Sequence, residues 1–243
     1  MIQLRVHDDY EAMSHAASEW LGDRIRTHPA TLACLAAGST PARAYELLAE
    51  SGRGAPKLFD RLRLIALDEW GGLSATNPGS CQFQLRREIV APLGIEDRFI
   101  AFSGDAPNPQ AECDRVAAWL AYDGPIDVCV LGLGINGHLG FNEPAEEINL
   151  HAHVASLAAT SLMHGMVRDL AAKPTYGMTL GMVDILHARE VLLLVSGQRK
   201  GAALRKLLTG PLTTAFPASL LHLHPSVTVL CDVSAHADLD IQT

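Results

Sequence analysis

The sequence predicts an α/β fold with a mainly parallel central sheet and helices on both of its faces. Short β-rich runs alternate with longer segments of helical periodicity, the order that a parallel sheet with right-handed crossovers requires. Several of the runs are apolar on both faces, which is typical of strands covered by helices on each side. The 243 residues, 48% of them hydrophobic, suffice for one large core, so we expect a single domain over residues 1–243.

Six runs have the residue types and the length of strands. In chain order they are 31–37, 61–67, 98–102, 126–133, 190–195 and 226–231, of which 98–102 has the weakest pattern. Between them, 9–26 carries one apolar stripe and predicts a helix. A second helix should begin with Thr40 as its N-cap and Pro41 in its first turn, and 108–121 and 198–208 predict two more. Because ligands of such sheets lie beyond the carboxyl ends of the strands, the residues after each strand are the functional candidates.

Charge and composition exclude several classes of partner. The net charge of −8 disfavours nucleic acid and anionic membrane surfaces, although a locally positive pocket could still take a small anion. The N-terminal residues do not resemble a signal peptide, and no apolar run approaches the roughly 20 residues that span a bilayer. Five scattered cysteines without a C-x-x-C pair indicate reduced, buried thiols, so we expect a cytoplasmic protein.

Two of the predicted strands end in candidate site residues. Gly38, Ser39 and Thr40 precede a helix, and backbone N–H groups at a helix N-terminus suit a phosphate; an ordinary turn with a helix cap is the alternative. Asp68 and Glu69 follow the next strand and cannot both point into the core, so one of them could face a site at the sheet edge. A solvated loop is the alternative for this acidic pair.

The glycine-rich run 132–137 formally matches the dinucleotide-binding fingerprint, but we reject that interpretation. No apolar helix follows directly, and the acidic residue expected about 20 residues further on is missing. His138 and Glu143 follow instead, in a turn where they could meet. This arrangement suits a histidine that moves protons beside a carboxylate that orients it, whereas a structural histidine is the alternative.

The remaining candidates are basic residues and histidine pairs. Lys200 follows a strand and a turn and is placed to reach a phosphate, and Arg168 is a further basic candidate; both could equally be surface residues. The pairs in 151–153 and 222–224 would put two imidazoles on one strand face, but no third ligand is apparent, so no metal is predicted.

Several of these motifs together resemble one family over nearly the whole chain. They are Gly38-Ser39-Thr40-Pro41, Leu67-Asp68-Glu69-Trp70, Asn136-Gly137-His138, Phe141-Asn142-Glu143-Pro144 and Leu223-His224-Pro225. The family is that of the glucosamine-6-phosphate deaminases and 6-phosphogluconolactonases, in which the glutamate of "FNEP" marks the deaminase branch. Within that branch, "LDEW" and "LHAREVLLLVSG" are most similar to galactosamine-6-phosphate deaminase/isomerase. The resemblance implies a Rossmann-like fold of the sugar-phosphate isomerase type.

The resemblance also implies roles. Asp68 would carry a proton from C2 to C1 of the open-chain sugar, and His138, with Glu143 beside it, would assist ring opening. The residues that would hold the phosphate are Gly38, Ser39, Thr40, Lys200 and, near the position of a family arginine, Arg168. Neither a metal nor an organic cofactor is implied.

Asn136 departs from the glucosamine-type pattern, which has aspartate there. An asparagine could accept the imidazole N–H through its carbonyl oxygen but supplies no negative charge, so the His138 imidazolium should be less stabilised. Two interpretations stay open. Either Glu143 alone sustains His138, as in galactosamine-type relatives, or the enzyme is a weakened one.

The implied reaction is an aldose–ketose isomerisation with deamination, a hydrolase and isomerase chemistry in one enzyme. Galactosamine 6-phosphate would give tagatose 6-phosphate and ammonia. The alternatives are glucosamine 6-phosphate as substrate with fructose 6-phosphate as product, lactone hydrolysis, and a non-catalytic sugar-phosphate sensor. The chain ends at "DLDIQT", short of the longer allosteric relatives, so we expect a monomer or small homo-oligomer without their N-acetyl-sugar activation.

Overall fold

A seven-stranded parallel sheet forms the centre of the protein. The computed structural model describes residues 2–163 and 165–237. The strand order is β1-β10-β9-β6-β2-β3-β5, and every pairing in it is parallel. The strands are β1 (Ile2–His7), β2 (Leu32–Leu35), β3 (Arg63–Ala66), β5 (Phe99–Ile100), β6 (Val128–Gly132), β9 (Glu190–Val195) and β10 (Val227–Asp232). The predicted fold class is thereby confirmed.

The order along the chain places α-helices between most of the strands. They are α1 (Tyr10–Thr27), α2 (Ser39–Gly52), α3 (Cys81–Leu85), α4 (Ala91–Leu93), α5 (Pro109–Asp123), α6 (Met182–Leu186), α7 (Gly201–Thr209) and α8 (Val233–His236). A π-helical turn, Arg86–Val90, joins α3 to α4. A hydrophobic cluster covers each face of the sheet, and successive residues of β2 point alternately into one cluster and the other. Cys34 packs in the cluster with α5 and α7, whereas Leu35 packs in the one with α1 and α2.

A second, three-stranded sheet is antiparallel and was not expected from the sequence. Its order is β4-β8-β7, formed by β4 (Asp68–Trp70), β8 (Tyr176–Thr179) and β7 (His153–Ser156). The acidic pair Asp68 and Glu69 therefore lies in a strand, and the alternative of a solvated loop is wrong. β4 pairs with β8, which is distant in the chain, so no local sequence pattern predicts this strand.

Two helix starts differ from the predictions. The helix α2 begins at Ser39 with Gly38 as its N-cap, so the prediction of Thr40 as N-cap is wrong. Gly38 has φ 121°, a conformation that favours glycine, and it lets the helix start two residues earlier. The segment predicted as the helix 198–208 opens with a 3₁₀ turn, Gln198–Lys200, before α7.

None of the helices in the described part of the chain has the length and apolar character needed to cross a membrane. The residues 238–243, on which the expectation of a monomer or small oligomer partly depends, lie outside the described residues.

Candidate active site

The predicted site residues follow four strands that are neighbours in the sheet, β3, β2, β6 and β9. Backbone hydrogen bonds connect these strand ends: Leu67 N–H donates to Leu35 O across 3.0 Å, and Ala36 N–H donates to Val130 O across 3.0 Å. Because all four strands are parallel, the segments that follow them emerge at one edge of the sheet. Asp68, the Gly38 turn, the His138 segment and Lys200 thus lie at the same edge.

Asp68 is a buried carboxyl group at the start of β4. Its side chain is 9% exposed and its backbone pairs with Thr179 of β8. Burial, followed by the nearby charge of Glu69, raises the pKa of Asp68 to about 7, against an opposing hydrogen bond from the Cys81 thiol. A carboxyl group with this pKa accepts and returns protons readily at neutral pH.

Glu69 has a structural role that the sequence did not reveal. Its carboxylate is 1% exposed and accepts hydrogen bonds from the backbone N–H groups of Trp70, Cys81 and Gln82 at 2.7, 2.9 and 2.8 Å. The Ser80 hydroxyl donates a fourth at 2.7 Å. Glu69 therefore anchors the N-terminus of α3 to β4.

Two glycines allow the chain to pass closely by the site. A Cβ on Gly134 would lie 2.5 Å from Cγ of His138, so only glycine lets the backbone approach this imidazole ring. Gly140 has φ 58°, and a Cβ there would lie 2.6 Å from Oγ1 of Thr179. Between β6 and residue 152 the chain forms turns and bends but no helix. A dinucleotide-binding site would need a helix directly after the strand.

His138 and Glu143 form a hydrogen-bonded pair. Nδ1 of His138 lies 3.2 Å from Oε2 of Glu143, and the two side chains are 23% and 12% exposed. Burial acts to raise the pKa of Glu143, but the hydrogen bond and charge of His138, with hydrogen bonds from Ser161 and Asn136, outweigh it and lower the pKa to about 2. Since Glu143 is ionised, the neutral form of the His138 ring carries its proton on Nδ1, which leaves Nε2 as the acceptor nitrogen.

Asn136 does not contact the imidazole in the way expected. Its Oδ1 accepts the backbone N–H of His138 across 3.2 Å, and its Nδ2 donates to Oε2 of Glu143 across 2.9 Å. The backbone donor on one side and the carboxylate on the other fix the orientation of the amide. The expectation that the Asn136 carbonyl accepts the imidazole N–H is wrong, because that proton points to Glu143.

Sequence reasoning missed the segment that covers Glu143 from the other side. The Ser161 hydroxyl donates to Oε1 of Glu143, and the backbone N–H of Ala158 donates to the same oxygen across 3.4 Å. Thr160 Oγ1 accepts from Asn136 Nδ2, also across 3.4 Å. Serine and threonine are common in loops, and nothing in "LAATSL" indicates these contacts.

The first turn of α2 offers backbone donors at the same edge. Gly38 itself is engaged, because its N–H donates to Gln84 Oε1 across 3.1 Å and its O accepts from Gln84 Nε2 across 3.0 Å. Gln84, another residue that the sequence did not indicate, thereby fixes the turn. Ser39 and Thr40 lie in the first turn of this 14-residue helix, and no acidic residue lies in that turn. That turn is compatible with an anion.

Lys200 reaches this edge, and Arg168 points elsewhere. Nζ of Lys200 donates to Leu133 O, at the end of β6, across 2.6 Å, and burial together with the charge of Arg199 lowers the pKa of Lys200. Arg168 is 58% exposed and pairs with Asp169 across 3.1 Å. Within the described part of the chain, no hydrogen bond or ion pair joins Arg168 to the Gly38 turn.

The histidine pairs are engaged in structural hydrogen bonds. His151 Nδ1 lies 2.8 Å from Asp184 Oδ1, and His153 Nδ1 lies 2.9 Å from the backbone O of His151. His222 belongs to a 3₁₀ helix, Pro217–Leu223, so the expectation of a strand at 222–224 is wrong. His224 Nε2 lies 2.7 Å from Ala188 O. Among residues 2–163 and 165–237, no group of three or more His, Cys, Asp or Glu side chains is arranged to hold a metal ion.

The family model described as glucosamine-6-phosphate isomerases/6-phosphogluconolactonase matches residues 8–230. The chain belongs to this family. AgaI of Escherichia coli (strain K12), which carries a provisional name as a deaminase, is 43% identical over 224 residues, or 92% of this chain and 89% of AgaI. The glucosamine-6-phosphate deaminase of Halalkalibacterium halodurans is 34% identical over 230 residues, or 93% of either chain.

Solved structures of the family share the fold. A monomeric glucosamine-6-phosphate deaminase, 33% identical, superposes with a TM-score of 0.92 over 97% of this chain and 99% of its own. The 6-phosphogluconolactonase from Trypanosoma cruzi, 21% identical, superposes with a TM-score of 0.83 over 99% of this chain and 97% of its own. The second likeness concerns the fold alone.

Proposed function

We propose that this member of the family is an isomerising amino-sugar-phosphate deaminase that converts galactosamine 6-phosphate into tagatose 6-phosphate and ammonia. The observation that carries the proposal is a buried Asp68 with a pKa of about 7 at the same sheet edge as the His138–Glu143 pair. Relatives that are 34 and 33% identical are named glucosamine-6-phosphate deaminases, which supports a hexosamine 6-phosphate as substrate.

Substrate binding begins at the phosphate. The backbone N–H groups at Ser39 and Thr40 and the positive end of α2 attract the dianion, and Lys200 adds a charge from the end of β9, on the far side of β6. To reach the phosphate, Nζ of Lys200 exchanges or shares its hydrogen bond with Leu133 O. Binding energy from the phosphate, which does not react, orients the carbons at the other end of the sugar.

Ring opening uses His138. Its Nε2 accepts the proton of the anomeric hydroxyl and returns it to the ring oxygen as the C1–O5 bond breaks. Glu143 fixes the ring through Nδ1 and stabilises the transient imidazolium. The product of this step is the open-chain aldehyde with its amino group on C2.

Asp68 then moves one proton. Its carboxylate removes the proton from C2, which is acidified by the neighbouring carbonyl, and the carbonyl oxygen on C1 takes a proton from water, so that an enolamine forms. The same carboxyl group returns the first proton to C1 while the amino nitrogen releases one proton to water, which gives a ketose imine. Water adds to the imine carbon and ammonia leaves, so the products are tagatose 6-phosphate and ammonia. Burial makes Asp68 a stronger base than a solvated carboxylate, which favours the first transfer.

Two features of the sequence support the galacto epimer over the gluco epimer. Asn136 departs from the glucosamine-type pattern, which has aspartate there, and the segments "LDEW" and "LHAREVLLLVSG" resemble galactosamine-6-phosphate deaminase/isomerase. Glucosamine 6-phosphate is the second candidate, favoured by the names of the remaining relatives. The two substrates differ only in the configuration of the C4 hydroxyl.

Ammonia release from both hexosamine 6-phosphates tests the proposal, with Asp68→Asn as the inactive control. We expect kcat/KM for galactosamine 6-phosphate to be at least about tenfold higher, a preference that one differential polar contact provides. The opposite preference would replace the substrate by glucosamine 6-phosphate. Release from neither sugar, by a folded protein, would refute the deaminase activity.

A further inference from the structure

Ser161 is a buried hydroxyl beside the proposed acid–base pair. It is 3% exposed and begins a 3₁₀ turn, Ser161–Met163, on a segment that contributes no residue to the family motifs described above. Its Oγ donates to Oε1 of Glu143 and lies 3.4 Å from Nδ1 of His138. The hydroxyl therefore touches both members of the pair.

The hydrogen bonds of Glu143 divide between its two oxygens. Oε2 accepts from Asn136 at 2.9 Å and faces Nδ1 of His138 at 3.2 Å. Oε1 accepts from Ser161 and, at 3.4 Å, from the backbone N–H of Ala158. Ser161 supplies the closer donor to Oε1. Without it, the carboxylate could rotate and take Oε2 away from the imidazole.

The single proton of the Ser161 hydroxyl also selects the histidine tautomer. If this hydroxyl donated to Nδ1 of His138, the ring would carry its proton on Nε2, and Glu143 would lose two donors at once. Donation to the ionised carboxylate is the stronger bond, so the hydroxyl proton points to Glu143 and Nδ1 keeps its own. Nε2 is then a hydrogen-bond acceptor, with no partner among the described residues.

We propose that Ser161 is a positioning residue, which holds Glu143 so that His138 presents the lone pair of Nε2 to the substrate. The catalytic consequence rests on the proposed function, whereas the tautomer is a property of the protein without substrate. In the serine-protease triad, a carboxylate fixes the histidine tautomer in the same way, and replacing it by an amide lowers turnover by about four orders of magnitude. A hydroxyl that acts on that carboxylate should have a smaller effect.

The test compares Ser161→Ala with Ser161→Thr, which retains the hydroxyl, and with Ser156→Ala as the matched control. Ser156 is exposed, lies on β7 and makes no described contact with Glu143. The first measurement is the ¹⁵N chemical shifts of the His138 ring nitrogens above neutral pH. We expect Ser161→Ala to convert the single tautomer into a mixture, while the other two variants keep the native shifts.

The second measurement is turnover. For Ser161→Ala we expect kcat to fall about tenfold with KM within about twofold, since positioning of a general base acts on the chemical step. Unchanged ring shifts and unchanged kcat in a folded Ser161→Ala protein would overturn the proposal, even if the protein were less stable. Should the native protein release no ammonia, the proposed function fails, but the ring shifts still decide the role of Ser161. If Ser161→Ala does not fold, Ser161→Cys, a weaker donor, takes its place with the same expected direction.

Discussion

Asn136 Nδ2 donates a hydrogen bond to Glu143 Oε2 across 2.9 Å, so the asparagine serves the carboxylate and not the imidazole. An aspartate in the same place would have no proton to donate and would bring two carboxylates into contact. Like charges at this distance raise the pKa of one of the two groups. The geometry thus favours the interpretation that Asn136 is a specialised residue over the interpretation that the enzyme is weakened.

Asn136→Asp should therefore lower turnover. At neutral pH we expect a loss of about tenfold in kcat, because the new carboxylate repels Glu143 and disturbs its contact with His138. The loss should shrink at lower pH, where one of the two carboxyl groups is protonated. Asn136→Ala is the control, since it removes the donor without adding a charge, and it should be less impaired. A large gain in turnover for Asn136→Asp would show that the native asparagine is a defect.

Asp68→Asn should abolish ammonia release and stabilise the protein at high pH. The folded-state pKa of about 7 exceeds the ordinary value of 3.8, so the folded state binds a proton that the unfolded state releases. Asp68 therefore lowers the free energy of unfolding progressively as the pH rises from 3.8, its ordinary pKa, to about 7, its pKa in the folded state. Above about pH 7 the variant should gain up to about 4 kcal/mol, because each pKa unit corresponds to about 1.4 kcal/mol.

Denaturant unfolding at about pH 4 and about pH 8 measures this gain, which should be much smaller at the lower pH. Asp60→Asn, at an exposed position, is the control and should change the stability little at either pH. Equal stability of Asp68→Asn and the native protein at both pH values would contradict the raised pKa.

The Cys81 thiol should tune the pH profile. It donates to Asp68 and opposes the rise in pKa. As the base must be ionised, kcat/KM should increase with pH through about 7. Cys81→Ala removes the donor and should move this limb to higher pH. Cys81→Ser provides a stronger donor and should move it to lower pH, each by about half a unit to one unit. Cys113→Ala, in α5, is the control, and its rise of kcat/KM with pH should be that of the native protein. Identical pH profiles for all the variants would argue against the contact between the Cys81 thiol and Asp68.

Gly134→Ala should impair catalysis through a steric effect on the imidazole. The added Cβ would lie 2.5 Å from Cγ of His138 and would displace the ring from Glu143. We expect kcat to fall about a hundredfold, comparable to the loss of a general base. Gly132→Ala is a matched control in the same segment, because a Cβ there meets no atom within 4 Å. Equal turnover of the two variants would mean that the ring position does not matter.

Local sequence patterns predicted the elements whose signals are local. β2, β6 and β9 are apolar on both faces; β9 was predicted with its observed bounds, and β2 and β6 with errors of one or two residues at their ends. β4 was not predicted, because its existence depends on pairing with β8, more than a hundred residues later. β1, at the edge of the sheet, was missed although its sequence IQLRVH alternates apolar and polar residues, the pattern of a half-buried strand.

The same distinction applies to the candidate site. Asp68, His138 and Glu143 belong to motifs with recognisable spacing, and the structure places all three at one sheet edge, while their catalytic roles stay predictions. The positions of Gln84 and Ser161 were invisible, since each acts on a partner in another segment. Arg168 shows the converse, because a basic residue near a motif position pairs with Asp169 at the surface.

Lys200→Ala should weaken phosphate binding with little effect on the chemical step. Lys200 follows β9 and hydrogen-bonds to Leu133 O at the end of β6, the strand next to the one that precedes the Ser39–Thr40 turn. Its loss therefore removes charge from the phosphate end of the substrate and leaves Asp68 unchanged. We expect KM to rise about tenfold to a hundredfold, and inhibition by inorganic phosphate to weaken in parallel, while kcat changes less. Arg199→Ala removes an exposed charge next to it and should leave KM within about twofold. If KM rises as much for Arg168→Ala as for Lys200→Ala, Arg168 leaves Asp169 and contacts the phosphate when substrate binds. If KM of Lys200→Ala equals that of the native protein, the phosphate binds elsewhere.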